Sequence, residues 1–164
     1  MGGPADLIDV RPLEPFDRAL VIEHWGDTVA RRGESIPIDG LPGFVAWIGS
    51  ERAGIVTYAV RGDACEVVTL HSYRPRRGVG SALMDAARAA AVAAGCRRLW
   101  LITTNDNVGA LGFYQRWGMD LCAFRRGAVD ESRRTLKPSI PARDQHGVPI
   151  AHELELELLL TPDV

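Results

Sequence analysis

The chain of 164 residues is 46% hydrophobic and carries a net charge of -2, which supplies one sizeable core, is short for two, and gives no footing for general nucleic-acid binding. No apolar run reaches the length of a membrane helix, and residues 1–6 have neither a basic start nor an apolar signal core. A soluble, cytoplasmic protein with no membrane or nucleic-acid partner is therefore expected, built as one domain over residues 1–164.

In chain order, residues 7–11 read as a first strand and 15–25 as a helix with Phe16, Leu20 and His24 at helical spacing. Residues 43–49 and 54–60 read as paired strands around a turn at Ser50, Glu51, Arg52 and Ala53, and Gly62-Asp63 leads into a strand at 64–72. Between helix and strands, Arg31, Arg32 and Glu34 form a charged cluster that reads as a solvated turn or as a contact for a charged substrate.

The strand at 64–72 runs into Ser72-Tyr73-Arg74-Pro75-Arg76-Arg77-Gly78-Val79-Gly80-Ser81-Ala82-Leu83. Glycines let backbone N–H groups approach an anion, and a helix start presents unpaired N–H groups at the positive end of its dipole. Arg74, Arg76 and Arg77 add charge. The same turn also serves as a mere tight connection from strand to helix. A phosphate loop of the Walker type is excluded because Gly80 is followed by Ser81 and Ala82 without a lysine, and a dinucleotide fingerprint fails at Leu83. The helix that follows aligns Leu83, Ala87, Ala90 and Ala94, and Gly95 suits a left-handed cap.

Residues 98–104 form a continuous apolar run of strand length, expected to be covered on both faces. Asn105, Asp106 and Asn107 then make a turn and cap cluster before a short helix with Ala110, Phe113, Tyr114 and Trp117, closed by Gly118. Residues 119–125 and 153–160 suit strands; in the latter Glu153, Glu155 and Glu157 alternate with Leu154, Leu156 and Leu158, which predicts one wet face and one core face. The proline-bearing connection 127–149 reads as a long loop of functional or mobile character. Cys65, Cys96 and Cys122 have no metal or redox spacing and read as reduced, buried thiols, and the four histidines lie in no ligand spacing, so no metal is expected.

Over residues 64–120 the order and spacing of these pieces resemble the GCN5-related N-acetyltransferase (GNAT) superfamily: a basic Gly-x-Gly turn, a helix, a strand, an Asn107-x-x-Ala110 helix and a Phe113-Tyr114-x-x-x-Gly118 ending. The resemblance implies an α+β acyl-CoA N-acyltransferase fold with a mixed, mainly antiparallel sheet flanked by helices. It implies acetyl-CoA as cosubstrate, with Arg76, Arg77, Gly78, Val79, Gly80, Ser81 and Ala82 at its pyrophosphate, Leu70 and Ser72 along its pantetheine arm, and Asn107, Ala110 and Tyr114 near it. Pro75 departs from the family pattern, which usually has Gln or Arg there, and removes one backbone donor.

The same resemblance implies an N-acetyltransferase that moves acetyl directly to an amine in a ternary complex, with no covalent intermediate. Tyr114 stands at the position of the family's general acid, and Glu66 at that of a catalytic base found in several relatives. Strict alternation would put Glu66, Val68, Leu70 and Ser72 on one face of their strand and Cys65, Val67, Thr69 and His71 on the other. Glu66 is expected to have a raised pKa or a fixed partner such as Arg61, His71 is the alternative base, and a backbone N–H near Leu70 would complete an oxyanion site. The acceptor, small molecule or protein amine, would be framed by residues 25–35 and 127–149. A homodimer stays open, and the rival reading is a non-catalytic acyl-CoA-binding or regulatory module.

Overall fold

A computed structural model describes residues 7–161; the N-terminal stretch 1–6, read above as lacking a signal core, lies outside them. The elements in chain order are β1 (Ile8–Pro12), α1 (Pro15–Trp25), β2 (Thr28–Arg31), β3 (Glu34–Pro37), β4 (Gly43–Ile48), β5 (Glu51–Arg61), β6 (Ala64–Ser72), α2 (Val79–Ala93), β7 (Arg98–Thr104), α3 (Val108–Trp117), β8 (Asp120–Arg125), α4 (Ala128–Thr135) and β9 (Glu153–Leu159). Seven strands form one sheet in the order β1-β4-β5-β6-β7-β9-β8, and β2 and β3 pair as a separate hairpin. Only β6 and β7 run parallel, so the sheet is mixed and mostly antiparallel, with α2 as the crossover between them. Among the described residues no helix is long and apolar enough to cross a membrane.

The two faces of the sheet carry different cores. On one, Val79, Leu83, Met84, Ala87 and Ala91 of α2 pack with Val56, Cys65, Val67, Leu99, Leu101, Tyr114 and Leu156. Each large side chain buried there contributes about 1.5–3 kcal/mol over leaving it in water. The buried stripe runs Leu83-Ala87-Ala91, four residues apart; the expected Ala90 is half-buried and Ala94 is exposed. Gly95, at φ 77°, ends the helix as expected, and the Cys96 N–H donates back to Ala91 O at 2.9 Å. On the other face Val21 of α1 packs with Ile38, Val45 and Ile55.

Several sequence expectations are corrected by these elements. The turn expected at 50–53 is shorter: β5 already begins at Glu51, because the pairing Ile48↔Glu51 closes a two-residue hairpin through Gly49 at φ 60°. Residues 25–35 hold most of the hairpin β2–β3, whose tight turn at Arg32-Gly33 uses two left-handed residues, φ 51° and 73°. The connection 127–149 opens with a helix, α4, whose first turn carries Asp130 and Glu131 and whose last carries Arg133 and Arg134, matching the helix dipole at both ends. Cys122 is exposed, since its strand β8 is the sheet edge, while Cys65 and Cys96 are buried.

Strict alternation on β6 also fails. Thr57 pairs with Thr69 but Tyr58 with Val67, so Val68 is an extra residue and a bulge. After the bulge the sides exchange: Cys65, Val67 and Leu70 pack toward α2, whereas Thr69, bonded to Thr57 at 2.6 Å, and His71, beside His24 and Trp25 of α1, lie on the opposite side.

At Gly43 an added Cβ would lie 2.1 Å from the backbone oxygen of Val56, which cannot move without opening the β4–β5 ladder. Gly43→Ala should therefore lower unfolding free energy by about 3 kcal/mol in urea titrations.

Candidate functional site

At the N-terminus of α2 the chain forms a cleft of about 410 Å³ lined by Ser72, Arg74, Pro75, Arg76, Gly78, Val79, Gly80, Ser81, Phe113 and Arg116. Arg76 and Gly78, with φ of 64° and 78°, tighten the turn; a positive φ in an arginine is uncommon. The first helical bond runs from Ala82 N–H to Gly78 O at 3.0 Å, so the N–H groups of Val79, Gly80 and Ser81 precede it at the positive end of a 15-residue helix. These donors and the guanidiniums of Arg76 and Arg116 suit a diphosphate. Arg74 is drawn aside into an ion pair with Glu51.

Six of the residues expected to bind the cosubstrate line this cleft: Ser72, Arg76, Gly78, Val79, Gly80 and Ser81. Arg77, Ala82, Leu70, Asn107, Ala110 and Tyr114 do not. Gly80 does more than admit an anion, because a Cβ there would sit 3.1 Å from the ring of Phe113, so its bareness seats α3 against α2. Arg116 was missed in the sequence; its only signal is a cation one turn after Phe113 on the helix that faces the turn.

From this cleft β6 leads back to a gap in the sheet. The parallel ladder joins only Ala64↔Arg98, Cys65↔Leu99 and Glu66↔Trp100, after which β6 and β7 part. The gap opens on a cavity of about 210 Å³ walled by Trp25, Val29, Ala30 and Arg31 on one side, Glu66, Val67 and Val68 on β6, Ile102, Thr103 and Thr104 on β7, and Val129, Lys137, Ile140 and Glu153. Segments 25–35 and 127–149, expected to frame one site, thus meet at one cavity. Lys137 ties them together, its Nζ donating to Trp25 O at 2.9 Å and Thr28 O at 2.6 Å.

Glu66 is 5% exposed and has a fixed partner, which is Arg31 rather than Arg61. Arg31 Nε and Nη2 donate to its two oxygens at 2.6 and 2.5 Å, a bidentate pair, and Arg31 Nη1 donates to Glu34 at 2.9 Å. Burial works against the Arg31 charge, but the bonds and attraction of Glu66 and Glu34 prevail and raise its pKa. Arg61 reaches only Glu34, at 3.8 Å. The cluster Arg31, Arg32 and Glu34 is thus only partly a solvated turn: Arg31 is 5% exposed, whereas Arg32 and Glu34 stay exposed.

The glutamate face of β9 is likewise not wet. Glu153 and Glu155 are 2% and 6% exposed. Glu155 takes bonds from Arg98 at 2.6 Å and Arg125 at 2.9 Å; burial would raise its pKa, but these arginines hold it below the usual carboxylate range. Arg31, Arg32 and Arg98 all stack on Trp100, 5.2, 5.5 and 5.2 Å from the ring centre. Period-two alternation identified the face but not its cover, which arrives from the distant hairpin β2–β3.

Tyr114 is 8% exposed among the core residues below α2, and burial pushes its hydroxyl up to about 12. Neither asparagine caps α3 with its side chain: Asn107 Nδ2 donates to Thr103 Oγ1 at 3.2 Å, and Asn105 bonds the N–H groups of Ala151 and His152 and the carbonyl of Pro149. His71 stacks between His24 and Tyr73 and does not line the cavity; burial, then the neighbouring His24, lowers its pKa. Burial also raises the Cys65 thiol to about 12, which makes it a poor nucleophile at neutral pH.

A cradle at one end of a strand and a cavity where that strand leaves its parallel neighbour define the acyl-CoA N-acyltransferase fold. The sequence profile of the Acetyltransferase (GNAT) family matches residues 10–119, and the chain belongs to that family, one of acetyl-CoA-dependent acetyltransferases. The uncharacterized protein YdhI of Bacillus subtilis is 40% identical over 134 residues, 80% of this chain and 83% of the relative. An IAA acetyltransferase from Bacillus cereus superimposes with a TM-score of 0.72 at 15% identity, covering 94% of this chain and 100% of that one. A GNAT acetyltransferase from Elizabethkingia anophelis with acetyl-CoA bound gives 0.70 at 15% identity, covering 93% and 98%.

Removing one member of a buried, bidentate pair strands the other. Arg31→Met should lower unfolding free energy by about 3–5 kcal/mol, and the double replacement Arg31→Met with Glu66→Met should recover most of the loss in the same denaturation assay.

Proposed function

We propose that the protein is a single-domain N-acetyltransferase that carries acetyl from acetyl-CoA directly to an amine seated in the cavity at the β6–β7 gap. The observation that carries this reading is that the anion cradle lies at the C-terminal end of β6 and the cavity beside the middle of the same strand, where it leaves β7, so a cosubstrate laid along it brings its thioester to the gap. The pyrophosphate sits against the amides of residues 79–81 with Arg76 and Arg116, and the pantetheine arm follows Ser72 and Leu70.

The amine nitrogen attacks the thioester carbon, the C–S bond breaks, and the thiolate leaves with a proton. A backbone N–H of the bulged segment 67–70 steadies the oxyanion, since the ladder to β7 has ended there. Tyr114 supplies the proton to sulfur; with its hydroxyl held at about 12 it stays protonated throughout the neutral range. Glu66 accepts the amine proton through water: Arg31 donates one hydrogen bond to each carboxylate oxygen, and each oxygen keeps a further acceptor site.

The test is release of free thiol from acetyl-CoA in the presence of an amine panel. Binding of acetyl-CoA with no acetylation of any amine would instead favour a non-catalytic acyl-CoA-binding module.

Ser81→Glu places a carboxylate where phosphate would sit while favouring the helix N-terminus. It should weaken acetyl-CoA binding at least tenfold in calorimetry without lowering Tm. Tyr114→Phe should reduce kcat about 100-fold with acetyl-CoA affinity unchanged, read by steady-state kinetics and calorimetry.

A further inference from the structure

The cavity at the β6–β7 gap holds two buried carboxylates whose surroundings differ. Glu66 is neutralised by Arg31. Glu153, from the first position of β9, is more deeply buried at 2% exposure, yet among the described residues it forms no ion pair. Its oxygens accept only the backbone N–H of Arg32, at 3.0 and 3.3 Å. The nearby cations are otherwise engaged. The Arg32 guanidinium turns to Trp100 and Glu155, and the Lys137 ammonium is spent on the Trp25 carbonyl, at the C-terminal end of α1 where the helix dipole favours its charge, and on the Thr28 carbonyl of β2. A carboxylate so buried, with one neutral donor and an open cavity beside it, lacks a counter-ion.

The rest of the wall sets what that counter-ion carries. Trp25, Val29, Ile102, Val129 and Ile140 make it chiefly apolar, and about 210 Å³ lies below the roughly 300–1,000 Å³ of pockets that hold drug-sized ligands. Lys137 ties the wall from α1 and β2 to the segment after α4, which narrows the space on that side.

We infer that Glu153 is the acceptor-binding carboxylate and that the acceptor is a small primary amine with an apolar body, entering as the ammonium. This rests on the reading of the cavity as the acceptor site and narrows it from amines in general. Glu153 holds the cation by a charge-assisted hydrogen bond, and the ammonium loses one proton, by way of water, to the Glu66 carboxylate. The neutral amine then attacks the thioester, and its second proton balances the one delivered to the departing sulfur. Glu153 and the α4 wall lie beyond the residues 10–119 that the family profile matches.

The test uses benzylamine and 3-methylbutylamine as probes, with benzyl alcohol and trialanine as controls, on the CoA complex by calorimetry and with acetyl-CoA by thiol release. Wild-type protein should bind benzylamine at least tenfold more tightly than benzyl alcohol and should acetylate both small amines but not trialanine. Glu153→Gln keeps an acceptor for the Arg32 N–H; it should raise KM and Kd for the amines tenfold or more while Tm and acetyl-CoA affinity stay unchanged, and Glu153→Asp should restore part of the loss. The alcohol comparison needs no variant and stands if the glutamine protein fails to fold. Equal binding of amine and alcohol, equal KM in wild type and Glu153→Gln, or acetylation of trialanine alone would overturn the inference while leaving the acetyltransferase reading intact. Failure of the wild type to bind acetyl-CoA would overturn both.

Discussion

The structure depends on β6 leaving β7 after three paired residues. Each strand is anchored on its outer edge, and beyond the ladder the inner edges face each other across the gap. Over all seven of its residues β7 is committed to β9, and β6 stays paired with β5 from one end to the other. The bulge at Val68 adds local twist to β6 at the place where the two diverge. A sheet interior would ordinarily be sealed by main-chain hydrogen bonds; here it is opened, and the backbone groups along that opening become available to a ligand. The cradle at the α2 N-terminus and the cavity beside Glu66 acquire meaning together because both lie along β6.

Opening a sheet near its centre exposes its middle to water, and the protein answers with charge more than with hydrocarbon. The hairpin β2–β3 reaches over β6, β7 and β9 with Arg31 and Arg32, which meet Glu66, Glu153 and Glu155 and stack on Trp100. Such a layer is weak evidence for stability, since desolvating each ion consumes much of the attraction gained. Its value is directional: the bidentate bond from Arg31 fixes where the Glu66 carboxylate points, which an apolar layer of the same volume would leave undetermined.

Most of the fold was legible in the sequence because it rests on local periodicity. The strands 64–72 and 98–104 and the helix 15–25 fall where apolar spacing and glycine punctuation put them. The glycine-bearing turn into α2 was legible for a similar reason, being a contiguous run whose geometry does not depend on distant partners. What escaped were relations between segments. Nothing in the alternation of Glu153, Glu155 and Glu157 reveals that a hairpin more than a hundred residues away covers them. The bulge at Val68 has no glycine to announce it, so strict alternation put Leu70 and His71 on the wrong sides. Arg31 as partner of Glu66, and Arg116 beside the cradle, likewise needed the chain to be folded.

The clamp of Lys137 on the carbonyls of Trp25 and Thr28 divides the molecule's labour along the chain. Everything proposed to hold the cosubstrate comes from a contiguous stretch and one following helix, whereas the outer wall of the cavity comes from either side of it and is joined by a single side chain. The two halves share β6 and touch again where Asn107 donates to Thr103 of β7. Residues at 129–140 can therefore be exchanged by drift or by design without disturbing the cradle, and a lineage built on this plan can change what it acts upon faster than it changes how it acts.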